Sequence, residues 1–192
     1  MTDLDRQKWN ARYREGAYQD KTHPSALLES WIEGAPMGHA LDVACGAGRN
    51  AIYLAAQGFT VDAIDISSAA LERGRVNAKA LDNRISWIES DLDLPPVLER
   101  LYQLILVIRY VNLPLVKALI PHLAASGLLI CEQHLMTDQD VAGPRTPSFR
   151  VQPGELLQTA ATLDVLHYSE SVVSDPGGDK VALARLVAQS PA

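Results

Sequence analysis

The sequence predicts an α/β protein built on a doubly wound, mostly parallel sheet, and three observations carry that reading. From residue 40 onward, short β-branched apolar runs alternate with stretches of helical period, the pattern of βαβ units. A glycine-rich turn separates the first strand-like run from the first helical one. The most evenly apolar run, residues 104–109, falls in mid-chain and reads as a central strand covered on both faces.

The elements follow in order. Residues 1–36 precede the sheet as two helices that could fold across the mouth of a site as a lid, and residues 37–192 form the core of a single domain, 1–192. Residues 39–45 (HALDVAC) are the first strand, followed by the glycine loop and a helix over 50–57 that stops at Gly58. Residues 59–66 are the second strand. Ser68 is placed to cap a helix running to about Leu81, and residues 85–89 are a third strand. Pro95 and Pro96 open a short helix. A helix over 115–123 joins the strand at 104–109 to one at 128–132. After an irregular stretch, 137–152, Pro153 suits a helix's first turn and Glu155 its positive end. Residues 163–168 and 181–187, separated by the turn at 175–178 (DPGG), form an antiparallel hairpin at one edge of the sheet.

A chain of 192 residues buries roughly 70% of the surface it exposes when unfolded, so it needs neither disulfide nor structural metal. Seventeen Lys and Arg against 23 Asp and Glu give a formal charge of −6, which disfavours a phosphate backbone as main partner and favours small molecules. Two cysteines, Cys45 and Cys131, exclude a disulfide scaffold and a C-x-x-C zinc site and fit the reducing cytoplasm. No apolar segment has the length of a signal core or a membrane span. The protein is therefore expected in the cytoplasm, with no metal, no nucleic acid and no membrane as partner.

The strongest chemical signal is DVACGAGRN, residues 42–50. Strand, glycine turn and helix in that order let the backbone approach a ligand at the helix's positive end. Asp65 ends the next strand, 19 residues beyond Gly46, where a carboxylate can accept hydrogen bonds from a ribose diol. Residues 46–51 also satisfy G-x-G-x-x-G/A, so a nicotinamide-dependent oxidoreductase is one reading. Three features favour S-adenosylmethionine instead: Asp42 inside the first strand, Ser90-Asp91-Leu92 after the third, and the lack of a Tyr-x-x-x-Lys pair for hydride chemistry.

LDVACGAGRN with AIDIS and SDLDLP resembles the class I S-adenosylmethionine-dependent methyltransferases, which implies a seven-stranded, Rossmann-like sheet with a C-terminal antiparallel hairpin. The Arg49-Asn50 ending is similar to the tellurite-resistance and thiopurine-type small-molecule members, and residues 147–170 (PSFRVQPGELLQTAATLDVLHYSE) resemble the closing part of the tellurite-resistance methyltransferases. By that resemblance Gly46 and Gly48 line the methionine portion of the cofactor, and Asp42, four positions before Gly46, is a further cofactor-binding residue. Asp65 binds the ribose hydroxyls and Asp91 the adenine amino group, with Ile66 and Leu92 flanking the ring. Trp9 and Tyr13, four apart on a helix, share one face and form an aromatic lid, with Arg12 near the methionine carboxylate. Each role has a plainer counterpart: turn geometry for the glycines, a solvated strand end for the two aspartates, packing on the sheet for the aromatic pair.

Arg109 and Tyr110 fall at the carboxyl end of the central strand, where open α/β sheets place their ligands. The alternative for Arg109 is a structural pair with Glu132 on the adjacent strand. Among the histidines, His134 follows a strand end facing the cleft and suits a base or substrate ligand. Arg145, Phe149 and Arg150 are substrate-loop candidates, with an ordinary solvated loop as the alternative. The expected reaction is methyl transfer to a small nucleophile, a thiol or a chalcogen oxyanion such as tellurite or selenite; a catalytically silent cofactor-binding module is the other class of function. Two departures from the family pattern matter. Its first glycine is Ala44 here, which is limiting if that position needs positive φ. RYVNLP, residues 109–114, replaces the Asp/Asn-Pro-Pro-Tyr signature of enzymes that methylate nucleic-acid amino groups.

Overall fold

Seven strands, β1 (His39–Val43), β2 (Thr60–Asp65), β3 (Ile85–Glu89), β4 (Tyr102–Ile108), β5 (Leu123–His134), β6 (Asp164–Ser174) and β7 (Lys180–Gln189), lie in one sheet of order β3-β2-β1-β4-β5-β7-β6. The computed structural model describes residues 3–94, 96–175 and 177–192. β1 to β5 run parallel, while β7 pairs antiparallel with both β5 and β6. The order reverses between β1 and β4, so the crevice beyond their carboxyl ends is where such a sheet accepts a ligand.

The helices are α1 (Asp3–Arg14), α2 (Ala26–Trp31), α3 (Arg49–Ala56), α4 (Ser68–Ala78), α5 (Leu113–Leu119) and α6 (Glu155–Thr159). They cover two separate apolar faces. One is built on Leu41, Val43, Ile105, Val107, Leu129 and Cys131 with Leu115, Val116 and Leu156 from α5 and α6. The other is built on Ala40, Leu104, Leu106, Leu128 and Ile130 with Leu28, Leu54 and Leu71 from α2, α3 and α4. Alternate residues of β4 and β5 thus go to opposite faces, which is why residues 104–108 show no polar gap. Among the described residues, no helix is long and apolar enough to cross a membrane.

Several boundaries differ from the sequence reading, each for a physical reason. Ser67, one residue before the expected cap, closes the start of α4 by accepting from the Ala70 amide at 3.1 Å. The helix after Pro95 and Pro96 does not form over 96–99; Pro95 itself lies outside the described residues, as does Pro176 in the hairpin turn. Pro153 precedes α6 rather than starting it, and Gly154 takes the cap position with φ of 82°. β5 begins five residues early and β6 ends six residues late, because pairing with β4 and β7 holds backbone that propensity alone would leave irregular.

Cys45 and Cys131 are both buried and free. Cys131 lies on β5 and Cys45 just past β1, and β4 stands between these strands, so bridging them would require rearranging the sheet. Thiol titration in denaturant is expected to find two free groups per chain; none, with oxidation excluded, would contradict this strand order.

Candidate active site

The turn after β1 is built by backbone strain and closed by a carboxylate. Ala44, Gly46 and Gly48 have φ of 54°, 58° and 73°. Two are glycines, for which this region is freely accessible, but Ala44 meets the steric cost that positive φ imposes on any residue with a β-carbon. Ala44→Gly is therefore expected to raise stability by up to about 1 kcal/mol, a Tm gain of roughly 2–4 °C by calorimetry. An unchanged or lower Tm would mean the alanine methyl contributes packing that outweighs the strain.

Asp65 ties this turn to the end of β2. Its Oδ2 accepts from the Gly46 amide at 2.8 Å and its Oδ1 from the Ser67 amide at 2.8 Å. The carboxyl is buried, and burial raises its pKa against the pull of these amides and that of Ile66. Each oxygen retains a second lone pair, so both can still accept from a ligand hydroxyl. Asp42 lies beneath the same turn, 1% exposed, and its Oδ2 has no hydrogen-bond partner. Burial pushes its pKa up to about 7, against the opposing charge of Arg49. A buried orphan acceptor under an amide-lined turn fits a ligand that brings its own donor.

The N-terminal segment covers the turn. A β-carbon at Gly46 would stand 2.3 Å from the Tyr13 hydroxyl, so any side chain there would displace the tyrosine and strain a φ of 58°. The Asn10 side-chain oxygen receives the Ser67 hydroxyl at 2.9 Å and the Ala69 amide at 3.0 Å. Arg73 on α4 donates to the carbonyls of Tyr13 and Ala17. Trp9 stacks obliquely on Tyr13, with centroids 6.4 Å apart. Arg12 does not turn toward the glycine turn: it is exposed, stacks over Trp9 and Tyr18 at 4.8 and 5.5 Å, and donates to the Tyr18 hydroxyl.

Beside this turn lies a group of cations. Arg109, with φ of 57°, meets Glu132 Oε1 through Nε at 3.1 Å, and Arg185 meets Oε2 of the same carboxylate through Nε at 2.9 Å. The Arg49 guanidinium donates to the His23 carbonyl at 2.8 Å. Its pKa is lowered first by burial and then by Arg109. Lys21, on the exposed rim, is lowered by partial burial and then by Arg109 and Arg49, against Asp175 and Asp179 of the β6–β7 turn.

His134 borders this group, its ring against Gly143, where a β-carbon would come within 2.9 Å of it. Burial, then Arg109 and Arg150, bring its pKa down to about 4, and its Nδ1 is buried without a partner. The imidazole is therefore neutral at pH 7. Because this folded value lies below the usual 6.5, the contribution to stability is full above pH 6.5 and is lost as pH falls through about 4. Stability curves of wild type and His134→Gln are expected to diverge across that window; parallel curves would mean the imidazole titrates normally.

Residues 40–126 match the family model described as methyltransferase domain. The fold is that of the class I methyltransferases. TehB from Haemophilus influenzae superposes with a TM-score of 0.71 at 21% identity over 91% of this chain, which spans 66% of the TehB chain. The N-methyltransferase NodS from Bradyrhizobium japonicum WM9, in complex with S-adenosyl-L-homocysteine, superposes with a TM-score of 0.70 at 17% identity over 97% of this chain and 98% of NodS. The [4+2]-cyclase SpnF shares the architecture too, with a TM-score of 0.65 at 16% identity over 86% of this chain and 78% of its own. No curated protein matches the chain in sequence.

Within the methyltransferase fold, the residues expected from the sequence divide into three groups. Asp42, Gly46, Asp65 and Tyr13 meet at one turn, and Tyr110 lies near enough to Asp91 and Asp65 for their charges to raise its pKa, although burial is the larger cause. Arg109 and His134 meet at the cation group, where the Arg109–Glu132 pair also forms. The remainder are employed elsewhere. Gly48 packs against the Trp87 ring, 2.3 Å from where a β-carbon would sit. Leu92 is fully buried in the core and Ile66 is 3% exposed. The Asp91 Oδ1 accepts from the Asp93 amide at 2.9 Å. Arg150 donates to the carbonyls of Pro144 and Leu135, both at 2.8 Å, which secures the loop rather than freeing its charge, while Arg145 and Phe149 are exposed. Arg49, from the glycine motif, and Glu132, expected as the partner of Arg109, complete the group together with Lys21 and Arg185, which carry no motif in the sequence.

Proposed function

We propose that this chain is an S-adenosylmethionine-dependent methyltransferase acting on a small nucleophile, a thiol or a chalcogen oxyanion, rather than on nucleic acid. The observation that carries the reading is the glycine turn anchored on Asp65 and covered by Tyr13, directly beside a group of cations. S-adenosylmethionine supplies a methyl group activated by its sulfonium. The chain's own residues bind, orient and exclude water. Asp65 is placed to accept from ribose hydroxyls while fixing the turn, Asp42 to accept from a donor on the methionine portion, and Asp91 and Tyr110 border the side assigned to adenine. Tyr13 and Trp9 screen the turn from solvent, which strengthens charge interactions inside. Arg109, Arg49 and Lys21 favour an ionised acceptor, and His134, too weak a base with a pKa of about 4 to deprotonate it, is left as a neutral ligand to it.

Such a transfer needs alignment of nucleophile and methyl carbon more than covalent participation by the enzyme, so buried Cys45 has no nucleophilic part. The test is a radiolabelled methyl-transfer assay over thiols, selenite and tellurite, with RNA and protein as further acceptors. Transfer to a thiol or oxyanion is expected. Robust labelling of RNA or protein would overturn the substrate class. Binding of S-adenosylhomocysteine with no transfer to any acceptor would favour a silent cofactor-binding module, and a thermal shift with NAD instead would return the nicotinamide reading.

A further inference from the structure

Glu132 is 4% exposed, whereas the side chains of Arg109 and Arg185 are 23% and 25% exposed. The carboxylate is thus enclosed, while each arginine keeps about a quarter of its side chain open to solvent. Each arginine meets Glu132 through Nε alone, one on each oxygen. The terminal nitrogens, which form the planar fork suited to paired oxygens, are not what Glu132 takes. Direct register pairing of Glu132 with Arg185 across β5 and β7, and the Arg109 amide on the Glu132 carbonyl at 2.6 Å, fix both arginines to the sheet rather than to a loop. Two guanidiniums on one carboxylate leave an excess positive charge. Arg49 and Lys21 add to it and Asp42, Asp175 and Asp179 offset them, so the uncompensated charge is that of the Arg109–Arg185 pair itself, which an anionic ligand relieves.

We infer that Arg109 and Arg185, positioned by Glu132, form a subsite for a carboxylate carried by the methyl acceptor in addition to its nucleophilic atom. This rests on the methyl-transfer reading for the word acceptor, but the subsite itself is testable by binding alone. In the sheet order, β4 with Arg109 at its end stands between β1, which leads into the glycine turn, and β5 and β7, which carry Glu132 and Arg185, so the acceptor's carboxylate is seated on the β5–β7 side and its nucleophilic atom on the β1 side. Glu132 is a positioning residue here: it sets the spacing of the fork without touching the ligand.

The experiment titrates 3-mercaptopropionate and, as the uncharged counterpart, 1-propanethiol into the full chain saturated with S-adenosylhomocysteine, followed by calorimetry. Wild type is expected to bind the mercaptocarboxylate at least tenfold more tightly. Arg185→Ala and Arg185→Gln are expected to lose that preference and Arg185→Lys to keep part of it, with S-adenosylhomocysteine binding as the check that each variant is folded. Glu132→Gln, which keeps the volume but loosens both arginines, is expected to narrow the preference as well. Equal binding of the two thiols by wild type, or an undiminished preference in Arg185→Ala, would overturn the subsite. Carboxylate-dependent binding without methyl transfer in the assay above would leave the subsite standing and remove the transferase reading.

Discussion

Asp65→Ala is expected to bring S-adenosylhomocysteine binding below detection by calorimetry, a loss of at least a hundredfold. The carboxylate has two tasks, and the substitution removes both. It withdraws the acceptor that the proposed site offers to ribose, where charged hydrogen bonds contribute about 1.5–3 kcal/mol each. It also frees the Gly46 and Ser67 amides, each now bound at 2.8 Å, so the turn loses the geometry that receives the ligand. Asp65→Asn separates the effects. Its single carbonyl oxygen can satisfy one amide, but its NH2 meets the other donor to donor. Intermediate affinity with a native-like Tm would assign most of the effect to the ligand, while a Tm drop matching Asp65→Ala would assign it to the turn. Undiminished affinity in either variant would remove Asp65 from the site.

Glu132→Ala should cause the largest stability loss of any single substitution in the cation group. Removing one partner of a buried ionic cluster leaves charge without compensation, and here two guanidiniums lose one carboxylate held at 3.1 and 2.9 Å. Partial exposure of both arginines moderates the cost, so about 3 kcal/mol is expected, a fall in Tm of roughly 6–12 °C. The double variant Arg185→Leu with Glu132→Leu should recover part of it, since it removes one of the two stranded guanidiniums and leaves only Arg109 without its carboxylate. If Glu132→Ala unfolds within a degree of wild type, water already serves both arginines and the cluster contributes nothing to stability.

The sheet was legible because its signals are local. Residues 104–108 advertise a doubly covered strand, and Asp42, Gly46 and Asp65 sit at spacings that a strand, turn and helix impose on any chain threading this topology. The cation group was not, because nothing local produces it. Arg185 meets Glu132 across 53 residues through the β5–β7 register, and Lys21 arrives from the N-terminal segment. The sequence offered Arg145 and Arg150 in the same neighbourhood, yet Arg150 is consumed by the carbonyls of Pro144 and Leu135, a use that no residue pattern announces. Of the two readings of Arg109, the structure shows the structural one, a pair with Glu132 through Nε at 3.1 Å; the functional one rests on the proposed subsite.

The cover over the glycine turn is attached in a manner that separates its lifetime from that of the sheet. Tyr13 is the only residue of α1 buried among those described, and polar grips on this helix come from Asn10, from the Arg6–Glu89 ion pair and from Arg73, which grasps the Tyr13 carbonyl. Such an attachment opens by breaking a handful of polar contacts while the sheet stays intact. Amide hydrogens of α1 should therefore exchange orders of magnitude faster than those of β1 and β4, and a protease should cut first between residues 14 and 25. The chain would then have two clocks, a slow one set by the strands and a fast one set by a helix that can lift and settle many times before the molecule unfolds once.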